Sequence, residues 1–212
     1  MIKFNLTEGR VQILEFKIEG VFEPRELEAL TLPGISPSKP LVISGRGPQW
    51  LYQYIAHHYH YVRLLATYEP RINKGIVIEA PATRYIGKAI DPETGDLQDQ
   101  ELGADGKLSL GVLKLGAFQL VRAEVENGKL IEPFQLRQID WQAVVSNIDP
   151  GKPVILYVMA PIWLGAKIAI ELSNLTPWYA VYDPRLQAAI VIVRHVTNAP
   201  KIGSTVKLEL AT

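Results

Sequence analysis

One segment of this chain occurs twice, at residues 39–78 and again at residues 152–192. With a one-residue gap, KPLVISGRGPQWL aligns with KPVILYVMAPIWL, and TYEPRINKGIVI aligns with VYDPRLQAAIVI. The two occurrences begin roughly a hundred residues apart, so the repeating unit has about that length. Such a unit is too long for a solenoid repeat and has the size of a small domain. It therefore predicts two fused subunits of an ancestral dimer that pack as a pseudo-two-fold pair within one chain. The identical pairs are Lys39/Lys152, Pro40/Pro153, Pro48/Pro161, Trp50/Trp163, Leu51/Leu164, Ile55/Ile168, Tyr68/Tyr182, Pro70/Pro184, Arg71/Arg185, Ile86/Ile202 and Gly87/Gly203.

The residue pattern of the first copy predicts a mixed sheet with a helix on one face. Strands are predicted at IKFNL, VQILEFKIEG, LVIS, RLLATY and GIVIEA, which are apolar or alternate between apolar and polar residues, and a short helix is predicted at PRELEAL. A longer helix is predicted from Pro48 to about Tyr61, because a first helical turn tolerates proline. The predicted fold class is α/β, with two tandem copies of a small mixed-sheet domain forming an intrachain pseudo-dimer.

The second copy repeats this order. Its predicted strands are FQLVRAEV, KLIEPF, VILYV, WYAVY and AIVIV, and its predicted helices are WQAVVSNI and IWLGAKIAIEL. The domains are predicted as a first copy at residues 1–88, a linker at 89–106 and a second copy at 107–212. The linker is acidic and rich in glycine, which is typical of a solvated tether. An acidic metal-binding loop is the alternative, although the spacing does not match an EF-hand.

Composition excludes several classes of protein. The chain has no cysteine, so it forms no disulfide, thiolate metal site or cysteine nucleophile. Its formal net charge is +0, whereas non-specific binding of nucleic acid needs a basic excess, so any anionic ligand must be met by local charges. The sequence has no apolar run long enough to span a membrane, and MIKFNLTEGR does not resemble a secretory signal. A cytoplasmic location without membrane association is predicted.

The turn Ser44-Gly45-Arg46-Gly47-Pro48 lies between a predicted strand and a predicted helix. Such a turn can direct backbone N–H groups and a helix N-terminus at a phosphate, while the serine and arginine side chains add donors. A plain strand-to-helix turn with a solvent-exposed arginine is the alternative. Neither a P-loop nor a full dinucleotide-binding fingerprint is present. In the second copy this turn reads YVMAP and has lost its glycines, serine and arginine.

Histidines follow this turn on the predicted helix. His57 lies on the same helical face as Trp50 and Tyr54, and His60 lies on a neighbouring flank. One imidazole could reach the anion site, or His57 and His60 could bind a metal, although no third ligand is evident nearby in sequence. A surface run of histidines is the alternative. The second copy has Ile170, Glu171 and Ser173 at the three histidine positions.

A third polar feature is the turn that joins the last two strands of the repeat. In the second copy, Asp183 and Arg185 offer a carboxylate that can ligate a hard metal and a guanidinium that can brace a phosphate. An ordinary turn is the alternative, because Asp-Pro commonly initiates turns. The first copy has Glu69 in place of the aspartate. His195 follows the last strand of the second copy, and Pro81 takes its place in the first.

The motifs SGRGPQWLYQYIAHHYH and YEPR of the first copy and YDPRLQAAIVIVRH of the second resemble those of one protein family. They are similar to the CRISPR-associated ring nucleases of type III systems, in particular the small manganese-dependent family that is distantly related to the CRISPR-associated Rossmann-fold sensors. A typical member resembles one copy of this chain and carries all these motifs in one subunit. The resemblance is strongest over residues 39–78 and 152–195.

This resemblance implies cleavage of cyclic tetra-adenylate, or of another cyclic oligoadenylate, into linear fragments. Such rings are second messengers of antiviral interference. The resemblance also implies self-association, in which dimers stack and hold the ring between them, and some members bind or trim RNA. Neither copy of this chain is complete, since the first keeps the turn and helix histidine and the second keeps the aspartate and the last histidine. One intact set of residues remains if the site joins residues from two subunits.

The resemblance also implies residue roles. The predicted catalytic residues are His57 as general acid or base, Asp183, Arg185 and His195. Asp183 and His195 are the predicted ligands of a manganese ion, or of another divalent metal, that polarises the phosphoryl oxygen. Two other functions remain open: a binding protein that sequesters the ring or couples it to a partner, and a catalytically silent scaffold. The predicted ligand-binding residues are Ser44, Gly45, Arg46, Gly47, Trp50 and His60.

Overall fold

A computed structural model describes residues 1–208 of the chain. The first copy forms strands and one α-helix in the predicted order, and short 3-10 helices occupy two of its loops. Its strands are β1 (Ile2–Thr7), β2 (Gln12–Ile18), β3 (Leu41–Gly45), β4 (Leu65–Glu69) and β5 (Lys74–Glu79), followed by β6 (Ala89–Ile90) and β7 (Leu97–Gln98). Its α-helix is α1 (Gln49–Tyr59), and its 3-10 helices are Pro24–Ala29 and Thr83–Tyr85.

The second copy repeats these elements and adds a helix. Its strands are β8 (Leu108–Leu115), β9 (Phe118–Val125), β10 (Val154–Met159), β11 (Trp178–Asp183), β12 (Ala188–Arg194) and β13 (Thr205–Lys207). Its α-helices are α2 (Trp141–Ser146) and α3 (Ile162–Leu172), and its 3-10 helices are Glu126–Gly128, Pro133–Arg137 and Ser173–Leu175.

The strands form two mixed sheets with the same topology. In the first sheet the order is β1-β2-β3-β4-β5-β6-β7, and in the second it is β13-β12-β11-β10-β9-β8. The middle strands β2, β3 and β4 run parallel, as do β9, β10 and β11, while the outer pairs are antiparallel. The predicted α/β fold with tandem mixed-sheet domains is therefore confirmed.

The second copy contains a strand that the sequence patterns did not predict, within its predicted bounds 107–212. LSLGVLKL forms β8, which pairs with β9 as β1 pairs with β2. The predicted strand KLIEPF is wrong, because Pro133 begins a 3-10 helix there and a reciprocal capping box at Glu132 closes its first turn. The same box opens the 3-10 helix at Glu23 in the first copy.

The acidic segment at residues 89–106 is not a free tether. Its strands β6 and β7 extend the first sheet beyond β5. The buried Glu132 carboxylate accepts hydrogen bonds of 2.7 Å from the backbone N–H of Leu102 and 2.6 Å from that of Ala104. Asp99 pairs with Lys88 and Arg137. The predicted solvated linker is thus corrected to a docked connection, since backbone pairing and charge neutralisation hold it against both copies.

The two helices α1 and α3 lie side by side between the sheets and run in the same direction. At their N-terminal ends, Gln49 Nε2 donates a 2.8 Å hydrogen bond to the carbonyl of Ala160. At their C-terminal ends, Ser173 Oγ lies 2.9 Å from His57 Nδ1. The pseudo-two-fold axis therefore runs along the helix pair. Helix α1 also contacts β11 and β12 of the other copy, and α3 contacts β4 and β5, so one apolar core spans both copies.

Reciprocal contacts at the edge of this core establish the pseudo-symmetry. Gly87 follows the last strand of the first repeat, and a Cβ there would overlap the carbonyl oxygen of Pro133 in the second copy. Gly203 holds the equivalent position in the second copy, and a Cβ there would overlap the carbonyl oxygen of Pro24 in the first. In an isologous pair each contact occurs twice with its partners exchanged. The predicted packing of the two copies as a pseudo-two-fold pair is confirmed.

We expect Gly87→Ala and Gly203→Ala to destabilise the chain much more than Gly20→Ala. All three glycines have a positive φ, near 75° to 82°, but no atom lies within 4 Å of a Cβ built at Gly20. The control then carries only the strain of the positive φ, about 1 kcal/mol, whereas overlap at the copy interface adds at least about 2 kcal/mol. Urea unfolding of the three variants measures the difference, and equal midpoints would contradict the close contact.

Candidate functional site

The parallel arrangement of α1 and α3 gives the molecule two polar faces. We define the turn face by the loops at the N-terminal ends of the helices, which are residues 44–48 and 157–161, together with the loops after β4 and β11, residues 69–71 and 183–185. We define the histidine face by His57, His60, Ser173 and His195 at the opposite ends. Nine helical steps separate Pro48 from His57, which corresponds to about 13 Å.

On the turn face, glycine is required for the conformation of residues 44–48. A Cβ at Gly45 would lie 2.5 Å from the Phe16 carbonyl oxygen, and one at Gly47 would lie 2.8 Å from the Phe16 ring. The Tyr52 hydroxyl donates a 2.7 Å hydrogen bond to the Gly45 carbonyl and fixes the turn from the helix side. The turn is therefore pressed onto strand β2, and Arg46 remains exposed at its tip.

An open cavity beside this turn carries excess positive charge. It has a volume of about 790 Å³ and includes Ser44 and Arg46 in its lining. Lys3 and Lys17 add two more cations, but Glu15 also lines the cavity and Lys3 is paired with the Glu19 carboxylate at 2.8 Å, so the excess over these acids is one positive charge. Arg46 forms no side-chain hydrogen bond or ion pair that the structure of residues 1–208 records. Its guanidinium is thus available to an anion that approaches the turn face.

Asp183 lies on the turn face as well, in a contact between the copies. Its carboxylate accepts hydrogen bonds from Arg185 Nη2 at 2.6 Å and Nε at 3.1 Å, and from Trp50 Nε1 of the first copy at 3.0 Å. Burial raises the pKa of Asp183, but the hydrogen bonds and charge of Arg185, together with the Trp50 indole, outweigh it and hold the pKa below its usual value. The carboxylate is ionised at neutral pH, and the mostly exposed Arg185 side chain points outward from it.

The first copy keeps the same arrangement around Glu69. Arg71 donates two hydrogen bonds to it, at 2.8 Å from Nε and 2.9 Å from Nη2. Burial raises the pKa of Glu69, and the bonds and charge of Arg71, with a contribution from the Trp163 indole, lower it overall. Trp163 Nε1 itself makes no hydrogen bond of normal geometry within the described residues. The turn face therefore presents two acid-bound arginines related by the pseudo-two-fold axis.

On the histidine face, Ser173 of the second copy holds two histidines. Its hydroxyl contacts His57 Nδ1 at 2.9 Å, and its carbonyl oxygen accepts a 3.0 Å hydrogen bond from His195 Nε2. His60 Nδ1 lies 3.2 Å from the His57 carbonyl oxygen, to which it donates. Because a carbonyl only accepts, these bonds fix His195 and His60 as the Nε2–H and Nδ1–H tautomers when neutral. The ring centroids of His57 and His195 are 6.5 Å apart.

Sequence reasoning missed Ser173 as a functional residue. It aligns with His60 of the first copy, so the sequence comparison treated it only as a lost histidine. The one available signal was its small polar side chain directly after an apolar helix. In the structure it is fully buried and connects the histidines of the two copies.

The environment of His57 makes its imidazole neutral at pH 7. Burial, followed by the proximity of His60, His195 and His58, lowers the pKa of His57 to about 4. The neutral ring can accept a proton or a hydrogen bond but carries no positive charge in the isolated chain. A phosphate brought against it would favour the imidazolium and raise this pKa.

The predicted metal ligands are not assembled in one chain. Asp183 ends β11 and His195 follows β12, and these two strands form an antiparallel hairpin in which Trp178 pairs with Arg194. The two residues therefore lie at opposite ends of the hairpin, about 20 Å apart, whereas a metal ion needs both ligand atoms within roughly 2.3 Å. No group of three histidine or acidic side chains within residues 1–208 is arranged to hold a metal ion. The joint Asp183–His195 site is corrected on this ground.

The predicted site residues thus form two groups. The structure brings the turn 44–47 to the same face as Trp50, Asp183 and Arg185, and it brings His57 and His60 together with His195 on the other face. It does not bring the two groups together within one chain. Each group nevertheless contains residues from both copies, so each depends on the pairing of the copies.

A tandem pseudo-dimer with these two faces defines a small two-copy α/β protein whose polar sites form across the pair. The sequence profile of one family, described as CRISPR-associated protein (Cas_csx3), matches residues 15–91 and again residues 124–207. The chain therefore belongs to the Cas_csx3 family of CRISPR-associated proteins, as two tandem copies. An uncharacterized protein of Aquifex aeolicus (strain VF5) is 29% identical over 83 residues, which cover 37% of this chain and 75% of that protein. Among residues 1–208, no helix combines the length and apolarity needed to cross a bilayer.

The low pKa of His57 predicts a pH-dependent stability. Between pH 6.5 and 4 the unfolded chain protonates this histidine and the folded chain does not, so the free energy of unfolding falls as the pH falls through this window. The expected loss is at most about 3 kcal/mol. His57→Gln can keep a hydrogen bond to Ser173, and it should flatten the slope of stability against pH. Urea unfolding of both proteins from pH 4 to 7.5 tests this, and parallel curves would contradict a buried neutral His57.

Proposed function

We propose that this Cas_csx3 protein is a ring nuclease that cleaves a cyclic oligoadenylate, cyclic tetra-adenylate in the first instance, and so ends type III CRISPR signalling. The observation that carries the proposal is the histidine cluster, which both copies build together although neither has a complete set of its own. Random decay of an inactive duplicate would not leave complementary residues in contact across the copy interface. The family membership supports the CRISPR context.

The two faces support a site formed between stacked chains. The turn face offers Arg46, Arg71 and Arg185 around the pseudo-two-fold axis, a pattern suited to several phosphates of one ring. The histidines lie at the opposite end of the helix pair, so they meet a ring on the turn face only when the histidine face of a second chain covers it. Self-association is then a condition for activity, and the cyclic nucleotide fills the junction.

In this junction the reaction is transfer of a ring phosphodiester to the neighbouring 2′-hydroxyl. The 2′-oxygen forms a bond to phosphorus, the bond from phosphorus to the 5′-oxygen breaks, and the ends become a 2′,3′-cyclic phosphate and a 5′-hydroxyl. Neutral His57 accepts the 2′-hydroxyl proton, and a second imidazole of the cluster supplies the proton to the 5′-oxygen. The arginines of the turn face stabilise the charge that develops on the phosphoryl oxygens.

Manganese dependence stays a prediction. A single chain has no three-ligand group within residues 1–208, and the Asp183 carboxylate is already bound to Arg185. No step of the proposed reaction is therefore assigned to a metal ion. Turnover with added manganese and with a chelator tests whether the stacked junction and the ring phosphates together recruit one.

A protein that binds the ring without cleaving it is the second candidate. The low pKa of His57 in the isolated chain favours it, because an imidazole with a pKa of about 4 is a weak general base near neutral pH. Incubation with labelled cyclic tetra-adenylate separates the candidates. Linear products support the nuclease, and thermal stabilisation by the ring without products supports the binding protein. The absence of both products and stabilisation supports a silent scaffold. Linear tetra-adenylate as a competitor shows whether RNA ends are also recognised.

Arg46→Ala should weaken ring binding by about 1.5 to 3 kcal/mol, the range for a hydrogen bond to a charged group. The matched control is Met159→Ala, because Met159 is the exposed residue at the equivalent position of the other copy. Isothermal titration with cyclic tetra-adenylate measures both. Equal affinities for the two variants would place the ligand away from the turn at residues 44–48.

Two single-face variants should complement each other. His57→Ala removes the general base of the histidine face, with an expected loss of about a hundred- to ten-thousand-fold in rate, and Arg46→Ala weakens the turn face. In an equal mixture about a quarter of the junctions join an intact histidine face to an intact turn face. Turnover at a ring concentration below saturation should therefore recover well above the sum of the separate variants.

The matching control uses the double variant His57→Ala/Arg46→Ala mixed with wild type. That mixture contains the same side chains in the same total amounts as the mixture of single variants. Its junctions between wild-type chains give the turnover rate with which the single-variant mixture is compared. Activity per chain should fall on dilution, because the site exists only in the assembly. Failure of the single variants to complement, with activity per chain independent of concentration, would place the whole site within one chain.

A further inference from the structure

The histidine face is not symmetric, although the fold that carries it is. The pseudo-two-fold axis relates His57 to Ile170, His195 to Pro81 and His60 to Ser173. We call the site of Ile170 and Pro81, the mates of His57 and His195, the second position. The side chains of isoleucine and proline can neither accept nor donate a proton. His60, the mate of Ser173, stacks on His57 with ring centroids 5.4 Å apart and so belongs to the same cluster.

The second position has also acquired its own charged cluster. Lys167 of α3 is almost fully buried, and its Nζ lies 3.3 Å from Glu79 and 2.5 Å from Glu171. Helix α2, which has no counterpart in the first copy, places the Trp141 ring 5.8 Å from the same Nζ. Two carboxylates share one ammonium here, so the position has an excess negative charge that opposes the approach of a phosphate.

The turn face keeps more of the symmetry. Arg71 and Arg185 are mates under the pseudo-two-fold axis, and each donates to its own acid through Nε and Nη2, at 2.8 and 2.9 Å for Arg71 and at 3.1 and 2.6 Å for Arg185. A ring with repeated phosphates can therefore still be held by equivalent contacts on two sides. The turn face is therefore two-sided in its acid-bound arginines, although Arg46 has Met159 as its mate, whereas the His57–His195 pair is present on one side only.

From this asymmetry we propose that each stacked junction contains a single cleavage centre, so that one encounter opens the ring once and yields a linear tetranucleotide. This inference rests on the proposed function. Two symmetric cleavage centres would lie half a turn apart on a ring of four nucleotides and would release two dinucleotides. Here one phosphorus–5′-oxygen bond breaks per engagement, and the product keeps three intact phosphodiesters. Its further degradation requires a second engagement or a nuclease specific for short linear oligoadenylates.

The test is a single-turnover time course with internally labelled cyclic tetra-adenylate and the full chain in excess, followed after mixing by a large chase of unlabelled ring. Denaturing electrophoresis separates ring, linear tetranucleotide and dinucleotide. Two independent equal centres would let the linear species reach at most about half of the label before the second cut consumes it. We expect the linear tetranucleotide to rise well above that level and to remain in the chase.

The outcomes separate this inference from the proposed function. Dinucleotide as the main product, with the linear species never above about half of the label, would overturn the single-centre proposal and leave the nuclease in place. No linear product of any length would overturn the nuclease itself. The binding of intact ring, measured in parallel by titration, shows that the chain used is folded and competent.

Variants at the second position provide the matched comparison. Glu171→Gln removes one of the two carboxylates beside Lys167 and should leave the ratio of linear tetranucleotide to dinucleotide unchanged, because this position takes no part in cleavage. His195→Ala should abolish both products together. If Glu171→Gln or Glu79→Gln lowered the cleavage rate as strongly as His195→Ala, the second position would be a working centre and the proposal would be wrong.

Discussion

The structure depends on one packing constraint, which is that a single layer of two parallel helices serves both sheets. Helix α1 packs on β11 and β12 of the second copy, and α3 packs on β4 and β5 of the first. Most buried apolar residues of the two copies therefore form one continuous cluster, and a second small cluster lies within the second sheet. Neither sheet would have a complete cover on its helix side without the other copy. The bond between Trp50 Nε1 and Asp183 extends this dependence to the polar groups, because it fixes the acid of one copy against the helix of the other.

The sequence predicted most of this architecture. Apolar runs and the glycine and proline residues that bound them were clear for the elements that are buried on both sides. The apolar strands β3, β5, β10 and β12 and the helices after Pro48 and Pro161 match the predictions within a few residues. Strand β8 was not recognised, since it is a half-exposed edge strand that directly follows an acidic segment. KLIEPF was misassigned because Ile131 and Pro133 are buried where a 3-10 helix meets the first copy, while Leu130 and Phe134 are exposed. This burial depends on tertiary packing and follows no strand period.

For the candidate site, the residue types were predictable and their grouping was not. The turn at residues 44–48, Asp183 and the histidines were identified from local chemistry, but their separation into two faces follows from the parallel direction of α1 and α3, which no local pattern encodes. The proposed pairing of Asp183 with His195 failed for a different reason, because their distance is set by the length of a hairpin. The comparison of the copies did not reveal the role of Ser173. It occupies the position of a histidine in the other copy, and its contacts with His57 and His195 arise only from the packing of the two copies.

The docked connection between the copies has a consequence for how such a protein can change over time. Two separate subunits meet at a rate set by their abundance, and every substitution appears on both sides of their contact at once. A covalent connection raises the effective concentration of one half near the other to roughly the millimolar range, and the pairing of residues 89–106 with both copies reduces the entropy of that connection further. Each half can then diverge without its partner diverging in the same way. Specialised halves of this kind, unlike the subunits of a homodimer, cannot be exchanged for one another.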